Sequence, residues 1–311
     1  MFAVVQILAP VVLVIGLGWF LARSGFISTP AIGELTRLTY WVGLPALLVH
    51  RIGTTTPAFE SVGGILAVLV GATAIVVVTT ALLATLGGLR GRSRVTLAHA
   101  AYRGNLVFVG LPVVIYAFAG SQTSASVESA ALVAFVPMVV VYNVTAVVLM
   151  QLPGGAHPLV AVKRVGRGLA TNPILLASLG GIAIALSGLE FPDFADRTLS
   201  AVGQMALPLA LIGIGGGLHA TRLRGQRRWA FTGAAMKTFM APLAGLGLAS
   251  WIGLGADETR LALIFLACPT AAASHVLVQQ MDGDTALSAG TIMLSHFLAL
   301  PAMLFVLALS G

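Results

Sequence analysis

In the run AYRGNLVFVGLPVVIYAFAG, residues 101–120, Arg103, Gly104 and Asn105 interrupt apolar sequence, and Gly110, Leu111 and Pro112 follow. The run LACPTAAASHVLVQQMDGD, residues 266–284, sets Pro269 and Thr270 among apolar residues and follows them with Ser274 and His275. Proline removes a backbone donor and glycine weakens a helix, so both runs read as helices broken near their middles. A broken helix opens free N–H groups at the start of its second half, and the helix dipole makes that end a seat for an anion such as a carboxylate. The chemistry on offer is recognition of a small anion, with no bond made or broken.

Other polar residues sit within apolar runs. Asn105 carries an amide that must find partners when buried, and substrate contact is favoured over a cap on the broken helix. Arg103 and Lys237 are the cations set furthest into apolar sequence; lining a cavity and snorkelling toward the interface stand equal. His275 and His296 have the ordinary range for carrying a proton near neutrality, though a lone membrane histidine also serves as a packing residue. Asn143 and Gln204 suit either the cavity wall or helix-to-helix hydrogen bonding. No Asp or Glu lies well inside an apolar run, which removes the usual carboxylate of a sodium site or proton relay. Carbonyls, Ser and Gln still offer oxygen to a cation, so sodium coupling, proton coupling and uniport all stay open and no other cofactor is implied.

An enzyme buried in the membrane needs a nucleophile, an aspartyl pair or a metal triad. The patterns G-x-G-D, G-x-S-G and H-E-x-x-H do not occur, nor does a G-x-x-x-x-G-K nucleotide loop. Cys268, the single cysteine, has no thiol partner and reads as packing.

These residues must be positioned by membrane helices. Hydrophobic residues make up 58% of the 311, charged residues 9%, and the mean hydropathy is +1.00, which excludes a soluble domain. Roughly 20 apolar residues cross the hydrocarbon as a helix, and the runs lack the alternation of barrel strands. Ten spans follow, near 2–22, 32–52, 62–86, 97–118, 130–152, 172–189, 199–218, 230–254, 261–280 and 286–309. The net charge of +7 comes from clusters without aromatic interleaving, so it speaks for topology and against nucleic acid. Arg23, the Arg90, Arg92 and Arg94 group, Lys163, Arg164 and Arg167, and Arg222, Arg224, Arg227 and Arg228 fall in alternate loops, which the positive-inside rule makes cytoplasmic. Both termini are then outside, in a multi-pass protein of the cell membrane whose first segment is a retained helix.

Pro10 and Pro173 lie 163 positions apart, as do Pro45 and Pro208, with LPALL around one and LPLAL around the other; Pro137 and Pro301 lie 164 apart. The chain therefore reads as a five-helix repeat at 1–152, a cytoplasmic linker at 153–171 and a second repeat at 172–311. Five is odd, so the second repeat is inverted, the architecture of alternating-access carriers. At this offset Asn105 stands opposite Pro269, which sets the two breaks at one depth. Glycines cluster as Gly213, Gly215, Gly216 and Gly217 and as Gly16 and Gly18; such faces suit sliding surfaces, tight packing or a homodimer contact alike.

The run R-G-N-x-x-F-x-G-L-P at 103–112, Asn172-Pro173, LPLALIGIGGGL at 207–218, KTFMAPL at 237–243 and PTAAASHVLVQQMDGD at 269–284 together resemble the auxin efflux carrier family. The family holds bacterial malonate and malate carriers and plant auxin carriers. The resemblance spans nearly the whole chain. It implies an all-α fold similar to the bile acid sodium symporters, with crossed fourth and ninth helices forming the site and Asn105, seven residues before Pro112, contacting a substrate carboxylate. Without the long cytoplasmic loop of many plant members, it implies a compact carrier of small carboxylates other than auxin. The alternatives are a channel or a membrane sensor, though no loop between the spans is long enough for the soluble output domain that a sensor needs.

Overall fold

The computed structural model describes residues 2–54, 59–151, 163, 166–220 and 225–309, and among these it is all-helical, with no strand beyond one isolated bridge. Most of the expected linker at 153–171 lies outside the described residues, as do residue 152, Arg164, Arg222 and Arg224.

Among the described residues four helices are long and apolar enough to cross a membrane: Val62–Leu86, Ser124–Met150, Asp193–His219 and Thr285–Leu309; Ile7–Arg23, Leu106–Phe118 and Pro173–Ser187 are shorter apolar helices. The elements run α1 (Phe2–Arg23), α2 (Thr29–Leu38), α3 (Leu44–Gly53), α4 (Phe59–Leu86), α5 (Gly91–Tyr102), α6 (Leu111–Phe118), α7 (Ser124–Gln151), α8 (Pro173–Ser187), α9 (Asp193–Gln204), α10 (Ala206–Ala220), α11 (Arg227–Ala235), α12 (Ala241–Ile252), α13 (Ala256–Ala267), α14 (Ala273–Gln280) and α15 (Thr285–Leu309).

Three expected spans contain a π-helical turn: Thr39–Gly43, Leu106–Gly110 and Met236–Met240. Each ends two residues before a proline, Pro45, Pro112 or Pro242. A proline inside a helix lacks the N–H for the carbonyl four residues back and its ring collides with that carbonyl. Widening the preceding turn by one residue relieves both problems. The residues ahead of the prolines accordingly bond five back: Leu44 N–H to Thr39 O, Gly110 N–H to Asn105 O at 3.1 Å, and Ala241 N–H to Met236 O. Threonines saturate neighbouring carbonyls, Thr39 Oγ1 donating to Leu35 O at 2.8 Å and Thr238 Oγ1 to Ala234 O at 2.9 Å.

The chain forms two compact units. One comprises Met1–Val62, Leu111–Pro137 and Leu169–Ala220; the other Gly63–Gly110, Met138–Gly168 and Thr221–Gly311.

In the first unit α1 lies along α10 and α3 along α8. The α1–α10 contact is backbone on backbone. A Cβ on Gly18 would stand 2.2 Å from Ile212 O, and one on Gly215 would stand 2.0 Å from Ile15 O. Of the three uses the sequence allowed for these glycines, tight packing is what Gly18 and Gly215 perform, and Gly216 likewise packs on Ile32 of α2. Polar ties join further elements of this unit: His50 Nε2 meets Asp196 Oδ1 at 2.9 Å and Arg51 Nη1 meets Glu128 Oε1 at 2.9 Å.

The second unit holds α5, the π turn after it, α11 through α15 and most of α4. An apolar cluster of Ala84, Leu89, Leu97, Ala230 and Leu287, with Trp229 and Leu294 packed on it, joins α4, α5, α11 and α15. A second cluster, Val95, Met150, Val278 and Met281, fixes α14 against α5 and α7.

The close α1–α10 approach gives a test. Gly18→Ala forces backbone against backbone and costs about 1–3 kcal/mol, whereas Gly16→Ala, with nothing within 4 Å of its added carbon, is neutral or slightly stabilising. Thermal unfolding in detergent separates the two, and equal midpoints for both variants would contradict this packing.

Candidate functional site

Helix α5 stops at Tyr102 because Gly104 is a poor helix residue and Arg103 turns extended, at φ −76° and ψ 93°. Helix α13 stops at Ala267 because the residue before a proline avoids the helical region, and Cys268 sits at φ −55° and ψ 146°. Two short extended stretches result, and they pair antiparallel. Asn105 N–H donates to Pro269 O at 2.8 Å, Ala271 N–H donates to Arg103 O at 2.9 Å, and Gly104 lies opposite Thr270. Unpaired backbone in a membrane interior costs several kcal/mol per group, so each break supplies the other's hydrogen bonds.

Side chains complete the arrangement. A continuous α5 would bond Ala100 O to Gly104 N–H; instead Thr270 Oγ1 donates to Ala100 O at 2.8 Å. A continuous α13 would bond Leu266 O to Thr270 N–H; that N–H donates to Ser295 Oγ at 2.9 Å, and the Lys237 ammonium donates to Leu266 O. A cation at a helix C-terminus also suits the dipole. Lys237 is 0% exposed and turns inward from its π turn, so the snorkelling option for this residue is overturned. It passes over Gly104: a Cβ there would lie 3.0 Å from Lys237 Cε and 3.2 Å from Nζ.

Asn105 does two jobs with two atoms. Its Oδ1 accepts from Phe108 N–H at 3.3 Å, capping the half-helix that continues into α6. Its Nδ2, in a side chain 3% exposed, has no hydrogen-bond partner among the described residues. The cap and the free donor are not alternatives. Ser274, in the first turn of α14, is fully buried and its Oγ is unpartnered among the described residues. His275 beside it is half-buried, with Nδ1 unpartnered.

Arg103, Gly104, Asn105, Pro269, Thr270, Ser274 and Lys237 thus come together through the paired breaks, and His275 follows them on α14. Gly110 and Pro112, which follow the first break, do not interrupt the helix again: Gly110 closes a π turn, and the widened turn accommodates the proline. Pro112, second residue of α6, falls in the other unit. Gln204 also belongs to that unit, exposed at the end of α9, where its Nε2 donates to Ser200 Oγ at 3.1 Å. Asn143 is half-buried on α7 beside Tyr142. His296 on α15 turns Nδ1 to Ile292 O at 2.8 Å within its own helix.

A group missed at the sequence level is His99 with Tyr102 and Tyr142. His99 Nδ1 lies 3.2 Å from Tyr102 Oη, and Tyr102 Oη donates to Tyr142 O at 3.0 Å, tying α5 to α7. The i, i+3 spacing of His99 and Tyr102 on one helix face was the available signal.

The C-terminal end of α14 is anchored as firmly as its start. Arg92 Nη1 donates to Met281 O at 2.6 Å, Ser93 Oγ to Asp284 Oδ2 at 2.8 Å, and Asp284 N–H to Thr96 Oγ1 at 3.0 Å. Asp284 Oδ1 accepts from Leu287 N–H at 3.0 Å as the cap of α15. Helix α14 is held to α5 at both ends.

The cap on Ala100 O is testable. Thr270→Val leaves that carbonyl without its donor and costs about 1–3 kcal/mol, while Thr270→Ser recovers most of the loss in thermal unfolding. A valine variant as stable as the parent would remove the hydroxyl from the account.

Neither residues 97–118 nor residues 261–280 contain an Asp or Glu, while buried Lys237 and half-buried Arg103 stand beside the paired breaks. A comparison with curated proteins gave no match. The family model described as membrane transport protein matches residues 3–307. Coverage of nearly the whole chain, over apolar helices that carry the paired breaks, places this multi-pass membrane protein in the auxin efflux carrier family of membrane transporters.

Proposed function

We propose that this transporter is a secondary carrier of small organic anions, carboxylates above all, which it moves by alternating access at the paired breaks of its fourth and ninth spans. It crosses the cell membrane ten times as two inverted five-helix repeats, with both termini outside and the fourth and ninth spans crossed as in the bile acid sodium symporters.

The single observation that carries the anion reading is Asn105: its oxygen is committed to the cap, which turns the unpartnered Nδ2 donor toward whatever else occupies the site. The Ser274 hydroxyl and the start of α14 add donors, Arg103 and Lys237 add positive charge, and the fourth and ninth spans contribute no Asp or Glu. Donors and positive potential without acids fit an anion and repel a cation.

Three features support the inverted repeat. A shift of about 163 residues carries α1 onto α8, the α2–α3 pair onto α9–α10, α4 onto α11–α12, α5 onto α13 and α7 onto α15. Each compact unit takes matching elements from both halves, α1 to α3 with α8 to α10 in one. Positions matched by the repeat also touch across it. Gly43 and Ala206, 206 − 43 = 163 apart, lie with a Cβ-to-Cβ distance of 3.2 Å once Gly43 is given a Cβ, and Asn105 bonds to Pro269, 269 − 105 = 164 away. A two-fold axis through each unit requires such self-paired positions.

Counterflow in proteoliposomes with malonate, malate and an aromatic carboxylate tests the substrate class. Asn105→Asp keeps an oxygen for the Phe108 cap and replaces the free donor with an acceptor, so transport falls at least ten-fold while thermal stability holds. Transport of no carboxylate, or full activity in Asn105→Asp, would sink the proposal.

A further inference from the structure

A cavity of about 280 Å³ lies between α12 and α15. Thr238, in the π turn that leads into α12, and Pro242 and Leu246 of α12 line one side at four-residue steps; Ala302, Val306 and Leu309 of α15 line the other at steps of four and three. Such spacing stacks side chains one above another on a helix face, so the cavity is a slot along the helix axes. Eight residues on the α12 side make it roughly 12 Å long at the helical rise of about 1.5 Å per residue. Pro242 and Ala302 are short side chains, which leaves the hollow between the two stripes. Leu263 of α13, 2% exposed, forms the floor, while Leu243 and Phe305, 52% and 49% exposed, stand at the mouth.

The lining is hydrocarbon but for one hydroxyl, and that hydroxyl, on Thr238, donates to Ala234 O within its own helix. A polar ligand would give up its hydration here and find no partner. The occupant is therefore apolar, long and narrow, and it enters sideways through a mouth on the exposed flank of membrane helices. The hydrocarbon core is about 30 Å thick, so the chains of one leaflet reach about 15 Å, and the slot takes most of one such chain. A second copy of the protein fits less well, because a stable interface draws on roughly 20–30 residues a side and ten line this slot.

We propose that the slot binds one acyl chain of a membrane phospholipid. The chain also bears on the paired breaks. Thr238 follows Lys237 directly in the π turn, and Leu263 lies three residues before Leu266, whose carbonyl takes the Lys237 ammonium. Methylenes packed against both partners supply the contacts that a hollow forfeits and so steady that tie. The slot requires only the membrane setting, whatever the breaks themselves carry.

The full-length protein is reconstituted in vesicles of dioleoylphosphatidylcholine doped with a phosphatidylcholine that carries a diazirine midway along one acyl chain, then irradiated, and the labelled residues are located by peptide mass spectrometry. Residues 238–246 and 302–309 take up label about five-fold or more in excess of exposed Val78 and Leu82 on α4, which the surrounding lipid touches equally. Leu246→Trp, which fills the slot from a half-buried position, cuts that excess below about two-fold while labelling of α4 is unchanged. Val306→Phe does the same from the facing helix and keeps the test open if the tryptophan variant does not fold. Labelling of the slot no denser than that of α4, or an excess that survives both substitutions, overturns the proposal. So does an excess given only by a diazirine fatty acid, which makes the occupant a free acid, and so does a slot shielded from the probe in a chain that cross-links as a dimer, which makes it a second copy.

Discussion

A peptide group in hydrocarbon must find its hydrogen-bond partner within the protein, and this one constraint shapes the centre of the molecule. A carrier needs free polar groups in mid-membrane to hold its cargo, yet a broken helix exposes more backbone than any cargo can satisfy. Here the surplus is absorbed by setting two breaks against each other. Asn105 and Arg103 exchange bonds with Pro269 and Ala271, Thr270 closes α5, and Lys237 closes α13. Among the described residues the Asn105 amide donor and the Ser274 hydroxyl remain unmatched, and in the function proposed above these leftovers hold the cargo.

The same economy explains why Gly104 and Lys237 belong together. The ammonium reaches Leu266 O only by passing over residue 104, where any side chain would stand in its way. Closure of one helix end in the second half of the chain therefore depends on the absence of a Cβ in the first half. Anchoring of α14 through Arg92, Ser93 and Asp284 at its C-terminal end makes α5 and α14 a single element in mechanical terms.

Much of this was legible in the residues. Apolar runs of membrane-spanning length located the helices, and the glycine, asparagine and proline at the two breaks located their interruptions, because these residues act through local backbone chemistry. The second group of candidates was harder. Gln204 looked like the other polar residues of apolar runs, but its partner is Ser200 one turn away, a contact that hydropathy cannot distinguish from a cavity lining. Lys237 lay close enough to a basic cluster to suggest an interfacial position, and only the orphan carbonyl of Leu266 reveals why it turns inward. His99 and the tyrosines were passed over because their roles depend on contacts between α5 and α7 that no local pattern encodes.

The π turns carry a consequence for how the spans meet their surroundings. Each inserts one residue into a regular helix, which rotates everything beyond it by about 100° relative to an unbroken spiral. The stripe of one face before Met236 is therefore not continued by the residues that a 3.6 period would select after Pro242, and the same holds on either side of Pro45. One span thus presents two differently directed faces, and a single-residue deletion just ahead of either proline would swing the second half of the helix to a new neighbour while leaving its composition unchanged.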